Sequence, residues 1–107
     1  MKTVLRASRM DQLIAELRQF TRERNWEKFH KPKDLAVSVT IEAAELVEIF
    51  QWVEANSEVS DDMRERIADE AADVLLYLTL LCDKVGLDLV ELGIAKLEKN
   101  RIRFPAI

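Results

Sequence analysis

The sequence is poor in the residues that turn a chain or cross-link it. Its 107 residues include 2 Gly, 2 Pro and 1 Cys. A β-rich chain needs a turn about every ten residues, and such turns draw heavily on Gly and Pro, so we expect an all-α protein. A single cysteine excludes an internal disulfide framework and any cysteine-based zinc site, and it favours the reducing cytoplasm.

Long apolar runs and a basic excess are also missing. The longest apolar run, over 74–82, is interrupted by Thr79 and falls far short of the ~20 residues that a membrane span needs. The net charge of −4, from 16 basic and 20 acidic residues, argues against a nucleic-acid polymer as partner, because such binding needs clustered cations. The N-terminal MKTVLRASRM lacks the apolar core of a signal peptide, so we expect a cytoplasmic protein without a membrane partner.

Apolar spacing predicts a single domain, 1–107, with a core over about 11–103. The first two predicted helices cover Asp11–Arg24 and about Leu35–Ala55, and Asp34 caps the second. The third runs from Ser60 or Asp61 to about Val85 and ends at a left-handed Gly86. The fourth covers Leu89–Arg101 and is capped by Asp88. The second and third helices are apolar on more than one face, which so short a monomer has little interior to cover. We therefore expect a four-helix bundle completed by homo-oligomerisation, as a tetramer of two dimers or as a dimer.

Four acidic residues stand in or beside the apolar stripes of the second and third predicted helices. They form two pairs with i, i+3 spacing, which places both members on one helix face: Glu42 with Glu45, and Glu70 with Asp73. A carboxylate in such a place is costly unless a cation pairs with it. Basic side chains at compensating positions are largely absent, and Arg66 beside Glu70 is the exception.

A divalent metal ion would remove this conflict. Mg²⁺ prefers oxygen ligands and commonly keeps waters in the presence of a phosphate-bearing substrate. The single histidine, His30, lies outside both acidic helices, which argues against di-iron and zinc sites. The residues thus predict a cage of four carboxylates for Mg²⁺, with Mn²⁺ as the other candidate. The alternative is a non-catalytic helical interaction module whose acids are solvated.

The two acidic motifs resemble those of the all-α nucleotide pyrophosphohydrolases of the MazG-like superfamily. The flanking segments are similar to the dCTP pyrophosphatase branch: RNWEKFHKPKDL, AELVEIFQW, DEAADVLLYL and KLEKNRIRFP. This resemblance implies Mg²⁺-dependent hydrolysis of a nucleoside triphosphate to a monophosphate and pyrophosphate. It points to dCTP or 5-modified dCTP as substrate and to cleaning of the nucleotide pool. Another or a broader set of triphosphates, such as dUTP, stays open.

The resemblance also implies roles for individual residues. Metal ligands would be Glu42, Glu45, Glu70 and Asp73, with Glu45 also accepting the proton of the attacking water. An aromatic slot for the base would come from Trp26 and Trp52, joined by His30 and Tyr77. The phosphates would be met by Lys96 and Asn100, with Arg101 as a further cation.

Overall fold

A computed structural model describes residues 8–107. Residues 1–7, which include most of the N-terminal MKTVLRASRM and the start of the predicted domain, lie outside the described range. The described chain forms α1 (Arg9–Glu23), α2 (Pro32–Glu48), α3 (Asp61–Lys84) and α4 (Leu89–Arg103), with a 3₁₀ turn at Glu27–Phe29. The absence of strands within 8–107 confirms the all-α prediction. Within that range, no helix combines the length and apolarity that a membrane crossing requires.

The C-terminal end of α1 fixes the position of Trp26. Asn25 adopts a left-handed conformation with φ 57°. The Asn25 N–H donates to the Arg22 carbonyl at 3.0 Å and the Trp26 N–H donates to the Thr21 carbonyl at 2.9 Å. This pair of bonds is the Schellman arrangement that ends many helices, and Asn is one of the few residues that tolerates the left-handed position. The predicted end of the helix near Asn25 is confirmed.

The caps predicted for α3 and α4 are also confirmed. The Ser60 hydroxyl accepts from the Met63 N–H at 3.2 Å, and the Asp88 carboxylate accepts from the Glu91 N–H at 3.1 Å. Between these helices, Gly86 has φ 75° and the Leu87 N–H donates to the Cys82 carbonyl at 2.8 Å. A left-handed glycine therefore ends α3 and reverses the chain into α4.

The boundaries predicted for α2 were wrong at both ends. The helix begins at Pro32 rather than Leu35, because proline has the helical φ and needs no hydrogen-bonded N–H in the first turn. Asp34 therefore lies inside the first turn, where it faces the positive end of the helix dipole. The helix ends at Glu48 rather than Ala55, and the chain continues in tight turns with bonds such as Phe50 N–H to Val47 carbonyl, 2.9 Å.

The helices pack unevenly on one another. The pair α2 and α3 forms the main contact, α1 lies against α3, and α4 touches the rest of the described chain only weakly. Among the described residues, the buried apolar side chains are Leu35, Ile49 and Cys82. The radius of gyration is 17.4 Å, whereas a compact domain of this length has about 13 Å. The single chain is an open arrangement, and its completion by further copies stays a prediction.

An ion pair fastens α1 to α3. Arg18 Nε donates to one carboxylate oxygen of Asp83 at 2.9 Å, and its Nη2 donates to the other. The Arg18 guanidinium holds the pKa of Asp83 below its ordinary value. This two-pronged contact joins α1 to the last turn of α3.

Candidate metal centre and adjoining cavities

Three of the four predicted metal ligands converge between α2 and α3. One carboxylate oxygen from each of Glu42, Glu45 and Glu70 lies within 4.8 Å of the other two. The spacing of Glu42 and Glu45 presents both on one face of α2, and the packing of α3 against that helix brings Glu70 to them. The cluster is therefore built by the two best-packed helices of the chain.

Two oxygens of this cluster are buried without a partner. The Oε2 atoms of Glu42 and Glu70 are shielded from solvent, and neither has a hydrogen bond within the described chain. A buried acceptor without a donor costs free energy, and more so when it is charged. Hard divalent cations prefer carboxylate oxygens as ligands. The orphaned oxygens and the all-carboxylate donor set therefore fit a Mg²⁺ or Mn²⁺ ion.

The electrostatics of the cluster agree with this fit. Burial, together with the neighbouring Glu45 and Glu70 carboxylates and the charge of Asp73, raises the pKa of Glu42 to about 7. Burial is also the main cause that raises the pKa of Glu70, with the charges of Glu45 and Asp73 adding to it. The acids thus resist being ionised together. A divalent cation reverses this resistance because it stabilises the ionised forms.

Asp73 belongs to the edge of the cluster rather than to its centre. It is close enough to raise the pKa of Glu42 and Glu70, and it also lines a neighbouring cavity of about 220 Å³. The other lining residues of this aromatic cavity are Leu17, Phe20, Thr21, Trp26, His30, Leu76, Tyr77 and Leu80. The Trp26 ring meets the Phe20 ring edge to face, with centroids 5.6 Å apart. One residue therefore joins the acidic cluster to a pocket with aromatic walls.

Comparison with known proteins shows which family the chain belongs to. The model of the MazG-like family matches residues 37–106, which contain both acidic motifs. The chain belongs to the MazG-like family. The family resemblance that the motifs predict is confirmed, and with it the all-α fold class.

Several known proteins are similar to this MazG-like chain. The dCTP pyrophosphatase 1 proteins of Mus musculus and Homo sapiens are 38% identical over 92 residues and 39% identical over 93 residues. These alignments cover 81% and 82% of the chain but 54% of each relative, so the chain spans about half the length of these curated relatives. The crystal structure of a pyrophosphatase from Archaeoglobus fulgidus DSM 4304 matches with a TM-score of 0.83 and 39% identity, covering 98% of this chain and 100% of that one.

The predicted substrate-binding residues fall into two groups within this MazG-like chain. Trp26, His30 and Tyr77 lie together in the aromatic cavity. The others lie outside its lining: Trp52, Lys96, Asn100 and Arg101. The Trp52 side chain is 89% exposed in the turns after α2. The remaining three are on α4, where Arg101 pairs with Glu98 at 2.6 Å.

A second cavity shares Glu45 and Glu70 with the cluster. This acidic cavity has about 180 Å³ and is lined by Glu45, Glu48, Ile49, Arg66, Asp69 and Glu70. Sequence reasoning assigned no role to Glu48, Asp69 or the apolar lining of the aromatic cavity, and it noted Arg66 only as a cation beside Glu70. Helical spacing is the signal that could have placed the three polar residues beside the cluster, since residues three or four apart share a face: Glu48 lies three after Glu45, Arg66 four before Glu70, and Asp69 four before Asp73.

Proposed function

We propose that this chain is a metal-dependent nucleotide pyrophosphohydrolase that converts dCTP, or dCTP with a 5-substituent, to dCMP and pyrophosphate in the cleaning of the nucleotide pool. The observation that carries the proposal is the junction at Asp73 between a carboxylate cluster with two orphaned buried oxygens and an aromatic cavity. The cluster suits a cation that binds phosphate, and the cavity suits a base. The names of the dCTP pyrophosphatase 1 relatives support the same substrate.

The metal-binding residues would be Glu42, Glu45 and Glu70, with Asp73 as the fourth. A Mg²⁺ or Mn²⁺ ion bound there supplies positive charge that offsets the triphosphate and makes water a stronger acid. Phosphoryl transfer is catalysed chiefly by positioning and charge stabilisation, and the carboxylates of this chain are placed to hold such a charge at one point.

The reaction needs a proton acceptor and a leaving group. The oxygen of a water molecule forms a bond to the α-phosphorus, and the bond from that phosphorus to the α–β bridging oxygen breaks. The bridging oxygen leaves with the bonding electrons as part of pyrophosphate. Glu45 would accept the proton of the water, because its carboxylate belongs to the cluster at which the α-phosphate would lie.

Recognition of the base would fall to the aromatic cavity. The ring of Trp26 is held by the end of α1 and by Phe20, so it offers a fixed face for stacking. His30 and Tyr77 add groups that can hydrogen-bond to the base or sugar from the same cavity. The apolar side chains of Leu17, Leu76 and Leu80 would accept a 5-substituent on the pyrimidine.

Further copies of the chain would complete the site, and we include a homo-tetramer of two dimers in the proposal, with a dimer as the simpler assembly. Trp52 is almost fully exposed, and α4 touches the other helices only weakly, with Ile94, Leu97 and Ile102 exposed along it. Such apolar surface is typical of an interface. A neighbouring chain could then receive Trp52, Lys96 and Asn100 at its site. The free thiol of Cys82 supports the reducing cytoplasm as the compartment.

The experiment that tests the function is pyrophosphate release from a panel of canonical and 5-substituted nucleoside triphosphates, with Mg²⁺ and with EDTA. We expect metal-dependent release concentrated on dCTP and its analogues. Release spread over dUTP and other triphosphates would contradict the cytosine assignment while keeping the cluster. No release from any substrate would favour a non-catalytic interaction module. Light scattering of the same sample measures whether the protein is a tetramer, a dimer or a monomer.

A further inference from the structure

We infer that Arg66 binds the pyrophosphate half of the substrate and neutralises its charge as it leaves. The inference rests on the proposed function and assigns a role to a side chain in the acidic cavity. Among the six described residues that line this cavity, Arg66 is the only cation. The other residues that line the cavity are the carboxylates Glu45, Glu48, Asp69 and Glu70, and the apolar Ile49.

The donor chemistry of the cavity singles out Arg66. Phosphate oxygens accept hydrogen bonds, and ionised carboxylates only accept as well. Ile49 has no polar side-chain atom. Among the side chains lining this cavity, only the guanidinium can therefore donate reliably to a phosphate, and its planar fork matches two phosphate oxygens at once.

The guanidinium of Arg66 is also free to bind a phosphate. Arg66 lies three residues before Asp69 and four before Glu70, the spacings at which helical ion pairs form. The ion pairs of the described chain involve other residues, and the exposed Arg66 side chain makes neither a salt bridge nor a side-chain hydrogen bond within it. A cation beside four carboxylates that is not used to pair with them remains available to a ligand.

The order of the sites along α3 matches the order of parts in a nucleotide. Tyr77 lines the aromatic cavity, Asp73 lies between this cavity and the acidic cluster, Glu70 belongs to that cluster, and Arg66 lines the acidic cavity. These positions lie on one stripe of the helix, and Tyr77 and Arg66 are separated by about 16 Å at 1.5 Å per residue. A base at the Tyr77 end places the α-phosphate at the carboxylate cluster. The β- and γ-phosphates then extend toward Arg66.

Arg66 would assist the reaction because the leaving group gains negative charge. When the bond between the α-phosphorus and the bridging oxygen breaks, the electron pair stays on the pyrophosphate and increases its negative charge. A fixed guanidinium at that end stabilises the developing charge, as cationic clamps do in phosphoryl transfer. The same contact should be present with free pyrophosphate, which allows binding to be measured without turnover.

The test compares Arg66→Gln with Arg64→Gln. Arg64 is an exposed arginine two residues earlier on α3, and at 3.6 residues per turn it projects from about the opposite side of the helix. Calorimetry measures the Kd of pyrophosphate with Mg²⁺ present, and a separate titration measures the Kd of Mn²⁺ in the nucleotide-free protein. For Arg66→Gln we expect pyrophosphate binding to weaken by about tenfold or more. Mn²⁺ binding should stay equal or become tighter, because a repelling cation has been removed.

The difference between the two binding constants distinguishes a phosphate contact from a structural defect, because only pyrophosphate binding should weaken. A variant that merely disturbed α3 would weaken the binding of both pyrophosphate and Mn²⁺, and this would overturn the inference. The inference would also be overturned if the wild type bound pyrophosphate and Arg66→Gln bound it with the same Kd. The proposed function would then stand. If the wild type bound no pyrophosphate and released none from any triphosphate, the proposed function and the role of Arg66 would fail together. The control Arg64→Gln should behave as the wild type in both titrations.

Discussion

Replacing Glu42 with glutamine should stabilise the metal-free protein at alkaline pH. In the folded protein the pKa of Glu42 is about 7, against 4.5 for the ordinary side chain. The folded state therefore holds this proton more tightly than the unfolded state. The resulting stability is fully present below about pH 4.5 and is lost as the pH rises through about 7.

The size of the effect follows from the two pKa values. Their difference corresponds to about 3 kcal/mol, and solvent screening of this part-exposed carboxyl reduces it to about 1–2 kcal/mol. We expect the Tm of the metal-free wild type to fall by about 5–15 °C more between pH 5 and pH 8 than that of Glu42→Gln. At pH 5, where Glu42 is protonated in the folded protein, the two proteins should have similar stability.

The assay is thermal unfolding in EDTA, followed by circular dichroism at one fixed protein concentration, since association changes the apparent Tm. Glu54→Gln, which changes an exposed acid after α2, is the matched control and should keep the wild-type pH dependence. Adding Mg²⁺ at pH 8 should raise the Tm of the wild type more than that of Glu42→Gln. An identical fall in Tm for wild type and Glu42→Gln would refute the account of the cluster.

Three further changes test other parts of the structure. Trp26→Ala should raise the KM for dCTP by about 5- to 100-fold in steady-state assays, because it removes a stacking surface, and an unchanged KM would exclude Trp26 from the base site. Asp83→Asn should lower the free energy of unfolding at pH 7 by about 1 kcal/mol in a denaturant titration. That loss should vanish in strong acid, because the stability from the lowered pKa of Asp83 is fully present above its ordinary 3.8 and is lost as the pH falls through the lower pKa of the folded protein. Glu98→Gln, from the exposed pair with Arg101, should have little effect. Thr79→Val should raise the free energy of unfolding by about 1 kcal/mol, because the buried Thr79 hydroxyl lacks a hydrogen-bond partner within the described chain. A denaturant titration measures this change, and a lower midpoint than that of the wild type would contradict it.

The features that the sequence predicted well are those with local causes. Gly86 and the caps Ser60 and Asp88 act within one helical turn of themselves, so their residue types identify them. The pairing of Glu42 with Glu45 depends only on helical spacing. Their meeting with Glu70 followed from one further assumption, that the two most apolar helices pack together, which the structure bears out.

The features that the sequence could not predict depend on tertiary contacts or on turns without the usual residues. The turns after Glu48 contain neither Gly nor Pro, so the continuous apolar pattern extended α2 to Ala55. The contact between Arg18 and Asp83 joins residues 65 positions apart, and no local pattern indicates it. The exposed position of Trp52 likewise depends on how the chain leaves α2.

The most direct test of the metal centre is anomalous scattering from crystals of the protein grown with Mn²⁺ and a non-hydrolysable α,β-imido analogue of dCTP. The account predicts an anomalous peak within coordination distance of carboxylate oxygens from Glu42, Glu45 and Glu70, with the α-phosphate of the analogue on the same ion and its base in the aromatic cavity. A peak elsewhere, or an analogue bound with these three carboxylates left without a metal ion, would contradict it.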